Sequence, residues 1–340
     1  MIGIVDYGFY IPKQRIKVED IASQWDKCGD KVEKSLRMYE KAVAGRDEDM
    51  VTMAFEASEM AFQTDPLLKK NIGAVFIGSE TFPYAVKPVS TSLAGWLNIP
   101  SSILAYDTQF ACKAATSALI SAYALVKSGD ISNALVCASD KANARPNDTL
   151  EYSAGSGANA WILGKEEVLL EIIDWSSYAT DTPDFWRRAG AAYPSHAGRF
   201  TGSPSYFHHI QEASQNLLAK QSITPDKITY AVFHMPNGSF PLKIGQKLGF
   251  TKDQMKHSYI VPYLGNSYSA SALMGLVATL EHAHPGDTIF FASYGSGAGS
   301  DALLFKVTEE IVHKRKQFKS RIDQKKYITY STYMKSMGII

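Results

Sequence analysis

Sliding the chain along itself by 157 residues brings GAVFIGSE, from Gly73, onto YAVFHMPN, from Tyr230, so that Ala74, Val75 and Phe76 meet Ala231, Val232 and Phe233. The same shift lays SILAYD, from Ser102, over YIVPYL, from Tyr259, and superposes Gly129 and Asp130 on Gly286 and Asp287. One offset serving several separate segments predicts a duplicated α/β unit. Each half runs strand, strand, small-residue helix, Gly-Asp turn, strand, closing in NALVCAS in the first and TIFFASYGSG in the second. The helices expected over 114–126 and 270–280 are apolar around most of their circumference, so they belong between layers rather than on a surface. Two stacked mixed sheets with helices between and outside satisfy that. The register pairs Gln109 with Asn266 and Cys112 with Ser269, which puts the beginnings of both small-residue helices, and any site built on them, where the halves meet.

The remaining organisation is weaker in signal. We divide the chain at 1–165, 166–311 and a tail, 312–340, that is basic and then Tyr-rich and either packs on the body or meets a partner. The stretch 175–206, with Pro183, Pro194 and Pro204, reads as an inserted irregular region of the kind that covers a ligand channel. With 340 residues, 45% of them hydrophobic, the chain can bury two cores without staples. The 35 basic and 34 acidic residues nearly cancel, which removes any general attraction for nucleic acid or an anionic membrane. Cys28, Cys112 and Cys137 lack metal-type spacing and cannot all pair, which suits a reducing cytosol, and Cys28 and Cys137 read as structural. The start MIGIVDYGFYIP reads as a strand rather than a signal peptide, and no run of about 18 apolar residues offers a membrane span. A cytoplasmic protein is expected.

Chemistry concentrates at the predicted seam. Cys112 stands at the first turn of a helix behind an apolar run, where unpaired backbone NH groups and the helix dipole favour thiolate; a titration below the free value of about 8.5 is expected. Glu80 follows the strand GAVFIGS, His234 follows TYAVF and Asn266 lies in YLGNSYSAS. A thiolate can carry an acyl group, an imidazole can polarise and protonate a carbonyl oxygen, an amide can orient, and a partly dry carboxylate can remove a weakly acidic proton. Singly, each has an ordinary alternative: a strand-end carboxylate, a hydrogen-bonded core histidine, a turn asparagine. The glycine-rich SYGSGAGSDAL has no Lys of a phosphate loop; either it is a tight turn, or an NH of Gly295 or Ser296 joins that of Cys112 around a thioester oxygen. Lys243 and Lys247, on the expected helix KIGQKLGF, either meet phosphates of a long ligand or are solvated. The adjacent His208 and His209 point apart, and no metal site is expected.

These strings resemble the thiolase superfamily and, within it, the hydroxymethylglutaryl-CoA synthases of compact archaeal type, almost end to end. The likeness is carried by IGSETFPYAVKP around Glu80, FACKAATSA around Cys112, TDTPDFWRRAG and HAGRFTGSPSYF in the irregular region, VFHMPNGSFPLKIGQKLGF around His234, YLGNSYSASALMGL around Asn266, and ASYGSGAGSDA. The resemblance implies a thiolase-like five-layered αβαβα fold built from two duplicated halves. It implies an acyltransferase in which Cys112 takes acetyl from acetyl-CoA, Glu80 removes a methyl proton, and the carbon attacks the ketone of acetoacetyl-CoA supported by His234. Water then releases 3-hydroxy-3-methylglutaryl-CoA, the precursor of mevalonate and isoprenoids. Asn266, Ser296, Gly295, Lys243 and Ser153 are the implied substrate contacts, and no cofactor is needed because the CoA thioesters are themselves the substrates. A homodimer is implied, as is assembly with an acetoacetyl-CoA thiolase through a small OB-fold and zinc-ribbon scaffold protein. Two other readings stand beside this one: a ketoacyl-acyl carrier protein synthase III-like enzyme, which would not need Glu80, and a non-catalytic thiolase-fold scaffold.

Overall fold

In the computed structural model, which describes residues 1–340, the apolar runs form nine strands hydrogen-bonded into one sheet. They are β1 (Gly3–Tyr10), β2 (Ile72–Gly78), β3 (Leu104–Thr108), β4 (Asn133–Lys141), β5 (Ser156–Gly164), β6 (Leu170–Ala179), β7 (Tyr230–Phe233), β8 (Thr288–Ala292) and β9 (Gly299–Val307), in the order β7-β8-β9-β6-β1-β5-β4-β2-β3. The duplication is visible in the pairing. In the first half β2 runs parallel to β4, and β4 antiparallel to β5, which pairs with β1; in the second, β7 runs parallel to β8, and β8 antiparallel to β9, which pairs with β6. The halves join through only two pairs, Gly3 with Glu171 and Ile4 with Leu170.

Alternation along the strands assigns the layers. On β2, Ala74 and Phe76 face a central core while Val75 and Ile77 face outward, as a period of two requires. The outer face is covered by α1 (Met50–Ala61) and α2 (Val89–Trp96). The central core takes in α3 (Ala114–Ser128), α6 (Ser271–Leu280) and the inner faces of both halves, including Trp161, Val232, Phe291 and Phe305. Ala231, Phe233, Phe290 and Leu304 face the other way, under α4 (His208–Lys220) and α5 (Phe240–Lys247). The order helix, sheet, helix, sheet, helix is the expected five-layered arrangement. Asp49 caps α1 by accepting from the NH groups of Val51 and Thr52, one reason that helix begins where it does.

Three local expectations need correction. YIVPYL does not form a strand matching β3: Val261–Leu264 is a helical turn. Pro262 has no NH for a ladder and a fixed φ suited to a first helical turn, so the second half lacks this strand. The irregular region begins later than Trp175, because β6 runs on to Ala179, and it contains a small hairpin of Phe185–Trp186 and Ser195–His196. Finally, the sheets expected as separate are joined at the β1–β6 seam. The tail packs on the body: Lys326–Tyr327 adds to a small sheet with Gln14–Lys17 and Glu40–Val43, and the helix Tyr330–Ser336 follows. No helix is long and apolar enough to cross a membrane.

Candidate active site

Cys112 lies between the end of β3 and the start of α3, one residue before the N-cap residue Lys113. The turn is pinned from behind. Lys113 Nζ donates to Asp301 Oδ1 at 2.9 Å and to Ser117 Oγ at 2.8 Å, and sits 4.1 Å from the centre of the Phe110 ring. Asp301, on β9, also accepts from Thr116 and Ser177, so this buried ion pair ties the Cys112 turn to the opposite half. Gly295 has to be glycine: a Cβ there would lie 2.3 Å from Phe110 O.

Glu80 leaves the C-terminal end of β2 on the same side. Gly78 lets this strand end approach α3, since a Cβ at that position would meet Ala115 N at 2.2 Å. Asp140, at the end of β4, gathers the Glu80 loop. Its Oδ1 accepts from Ser79 Oγ, Glu80 N and Thr81 Oγ1, each at 2.8 Å, and its Oδ2 accepts from Ser269 N at 2.9 Å. Arg187, from the irregular region, donates to Glu80 O at 2.7 Å. The Glu80 Oε1 atom is buried without a hydrogen-bond partner, and the Cys112 thiol lies against the carboxyl. Burial, reinforced by the Asp140 charge, pushes the Glu80 carboxyl up to about 8.

The same surroundings overturn the expectation for Cys112. Its thiol is 6% exposed, and burial first, then the charge of Glu80 and a hydrogen bond to it, raise the thiol well above its ordinary range rather than lowering it. A helix terminus acts within about one turn and is worth only about 0.3–1 kcal/mol, which a dry carboxylate neighbour outweighs. Cys112 is therefore held as a thiol, with the Glu80 carboxyl beside it.

His234 follows β7, anchored by its NH on Ala292 O at 2.9 Å and by Tyr206 Oη donating to its carbonyl at 2.6 Å. It is 1% exposed, its Nδ1 has no partner, and burial lowers the imidazole to about 3. It is neutral, able to donate one N–H to a carbonyl oxygen but carrying no excess proton. Asn266 is held by its main chain: its NH donates to Ser153 O at 2.7 Å and its carbonyl accepts from Gly155 N at 3.0 Å. Its Oδ1 accepts from Tyr268 N at 3.0 Å, which leaves Nδ2 free.

Cys112, Ser153, His234, Asn266 and Ser296 line one cavity of about 210 Å³, walled by Asp184, Phe185 and Tyr206 from the irregular region. Glu80 lines a second cavity of about 160 Å³ with Gln109, Asn143 and Arg187; Phe185 and Tyr268 belong to both walls. Two sequence candidates fall outside this constellation. The Gly295 NH is committed to Gly299 O at 2.8 Å, so only Ser296, whose NH is given to no other main-chain group, can join the Cys112 NH around an oxyanion. Lys243 lines a separate groove with Arg37, Gln246 and Lys252, the reach of a long ligand rather than of an acyl group. His209 is satisfied by Ser205 O and Thr180 Oγ1, and no group of three or more His, Cys, Asp or Glu side chains is placed to hold a metal ion. Sequence reasoning missed Asp140, Asp184, Tyr206 and Tyr268. Only Asp140 carried a signal, as an acid ending an apolar run that the repeat aligns with a strand.

The chain is similar in sequence and in fold to known proteins. A family model described as 3-oxoacyl-[acyl-carrier-protein (ACP)] synthase III matches residues 106–180, and one for the C terminal of that synthase matches 218–307. The fold is similar to that of MvaS in complex with 3-hydroxy-3-methylglutaryl coenzyme A, at a TM-score of 0.90 and 23% identity, covering 99% of this chain and 91% of that one. It is also similar to the curacin biosynthetic pathway HMG synthase in complex with holo donor-ACP, at a TM-score of 0.90 and 20% identity over 99% and 88%. Curated proteins named hydroxymethylglutaryl-CoA synthase are closer in sequence. That of Methanococcoides burtonii is 46% identical over 100% of this chain and 99% of its own, and that of Methanocaldococcus jannaschii 45% over 98% of each. With that identity spanning both chains nearly end to end, this chain belongs to the hydroxymethylglutaryl-CoA synthase family.

Proposed function

We propose that the chain condenses acetyl-CoA with acetoacetyl-CoA to give 3-hydroxy-3-methylglutaryl-CoA, supplying the mevalonate route, through an acetyl group carried on Cys112. The observation that carries this reading is the raised Glu80 carboxyl set against the Cys112 thiol. In the first step the sulfur attacks the acetyl carbonyl, the bond to CoA sulfur breaks, and the thiol proton passes by way of Glu80 to the leaving CoA thiolate. Glu80 then takes a proton from the methyl of acetyl-Cys112. The resulting carbon adds to the ketone of acetoacetyl-CoA, whose oxygen accepts an N–H bond from neutral His234 and finally the proton held on Glu80. In the last step water adds to the Cys112 thioester, and its proton ends on the departing sulfur. The NH groups of Cys112 and Ser296 face the thioester oxygen, with Asn266 Nδ2 and Ser153 on the acceptor side. A carboxylate near 8 is a far stronger base than an exposed one, which suits a weakly acidic C–H.

Thiol, carboxylate and imidazole account for every proton in this scheme, so we assign no cofactor and no metal. Arg37, Lys243 and Lys252 offer positive charge to the phosphates of CoA. The two family-model matches favour as a second reading a ketoacyl-acyl carrier protein synthase III-like condensation, which would decarboxylate its nucleophile and leave Glu80 idle. β3 is an open sheet edge bearing half-exposed Leu104, which supports a homodimer paired along that edge. The archaeal sources of the relatives support a complex with an acetoacetyl-CoA thiolase and its scaffold, and three unpaired cysteines support a reducing, cytoplasmic setting. Incubation with acetyl-CoA followed by peptide mass analysis should find Cys112 acetylated, and adding acetoacetyl-CoA should yield the six-carbon product. An unmodified Cys112 would remove the enzymatic reading; acetylation with condensation that survives Glu80→Ala would favour the second.

A further inference from the structure

The tail's tyrosines end in a buried polar cluster directly behind one wall of the acyl cavity. Glu151 is fully buried, and three separate segments donate to its carboxylate: Trp25 Nε1 at 3.0 Å, Asn147 N at 2.7 Å and Tyr330 Oη at 2.8 Å. Lys41, 1% exposed, donates to the Glu151 carbonyl and to Tyr333 Oη at 3.2 Å, and its ammonium lies 4.5 Å from the centre of the Tyr333 ring. Burying an ammonium and a carboxylate is costly unless their hydrogen bonds are met, and here the tail meets one for each.

Both sides of the cavity wall rest on this cluster. Glu151 belongs to the turn Thr149–Tyr152, which leads directly into Ser153, and Ser153 O receives the NH of Asn266. The stem of Lys41 packs on Gly265, the residue before Asn266: a Cβ at Gly265 would lie 2.9 Å from Lys41 Cβ and 2.7 Å from Ser153 O. Gly265 has φ of 77°, so its conformation also demands glycine. One side chain thus touches the approach to Asn266 with its stem and the approach to Ser153 with its amine.

We propose that the C-terminal helix Tyr330–Ser336, acting through Lys41 and Glu151, is a positioning device that sets the Ser153–Asn266 wall against the acceptor thioester. None of the four side chains Lys41, Glu151, Tyr330 and Tyr333 lines the cavity, so each acts through the main chain of residues that do. The Cys112–Glu80 side of the site is built on β2, β3, β4 and α3, and none of the cluster's four side chains hydrogen-bonds to Cys112 or Glu80. The inference rests on the condensation proposed above, and its test separates the two steps of that reaction.

The test uses the full-length protein with Tyr330→Phe, Tyr333→Phe and Lys41→Met. Tyr330→Phe removes one hydroxyl from a half-buried ring and is the variant most compatible with folding. The expected result is a rise of about tenfold in KM for acetoacetyl-CoA, the factor of roughly one lost hydrogen bond to a charged group, with the rate of Cys112 acetylation within about twofold of wild type. Glu151→Gln, whose amide oxygen can serve Trp25 and Asn147 while its Nε2 donates to Tyr330 Oη, should retain more of the condensation than Tyr330→Phe. Equal losses in acetylation and condensation would mean the tail merely holds the fold, and unchanged kinetics with a lowered Tm would mean it supports stability alone; either overturns the proposal. A wild-type protein that acetylates but does not condense would instead count against the functional reading.

Discussion

Replacing Glu80 by Gln should abolish condensation while making the protein more stable in alkaline solution. The folded carboxyl titrates near 8 against 4.5 for an unperturbed one. Folding therefore favours the protonated form, and stability falls as pH rises from the unfolded toward the folded value, then levels off. The full difference corresponds to roughly 5 kcal/mol, and because Glu80 keeps some solvent contact about 3 kcal/mol is the sounder figure. For a chain of 340 residues that is about 4 °C in Tm. Thermal unfolding of wild type and Glu80→Gln should coincide below pH 4.5 and separate by that amount at pH 9, with the variant the more stable. In the same series the wild-type condensation rate should climb with pH and level off above about 8, while the variant, having lost the carboxylate that relays the thiol proton, acetylates Cys112 only slowly. Parallel stability curves, or a wild type that is the more stable at pH 9, would refute the claim that a dry environment holds this carboxyl protonated.

Asp140→Asn removes the second cause of the raised Glu80 value, so the rising limb of the condensation profile should move to lower pH. The new amide faces the Ser269 NH, at a cost of about 1–3 kcal/mol in denaturant unfolding, and a limb that stays in place sinks the assignment. Lys113→Met leaves Asp301 buried and without its cation, for an expected loss of about 3–5 kcal/mol in urea unfolding; a loss below about 1 kcal/mol would show that the pair does not pin the Cys112 turn. His234→Ala should slow condensation about a hundredfold, and since the imidazole sits near 3 the wild-type profile should show no inflection of its own between about pH 5 and 7. Lys243→Ala should raise KM for CoA thioesters by about threefold, more at low salt than at high, with little change in kcat; equal effects at both salts would argue against a phosphate contact.

Much of the architecture was readable in one dimension because it follows from local periods. Alternation along GAVFIGS dictates which side of β2 meets the central helices, and apolar residues all around α3 and α6 require burial between layers. The 157-residue offset located the seam and, with it, Cys112, Glu80, His234 and Asn266, since equivalent strand ends must point the same way. The exception is instructive. Apolar character alone made YIVPYL resemble a strand, and a single proline, by withholding an NH, turned it into a helical beginning.

What the linear chain could not decide is anything set by neighbours distant along it. The position of Cys112 before a helix argued for a lowered thiol, yet the thiol is raised, first by the loss of water around it and then by Glu80, 32 residues upstream. The Gly295 NH counted as a free donor until β9 supplied Gly299 O, and the tyrosines of the tail had no assignable role until they closed over Glu151. Periodicity is a property of consecutive residues and survives in the sequence; electrostatics and hydrogen-bond commitment depend on distances in space, and only the folded chain sets those.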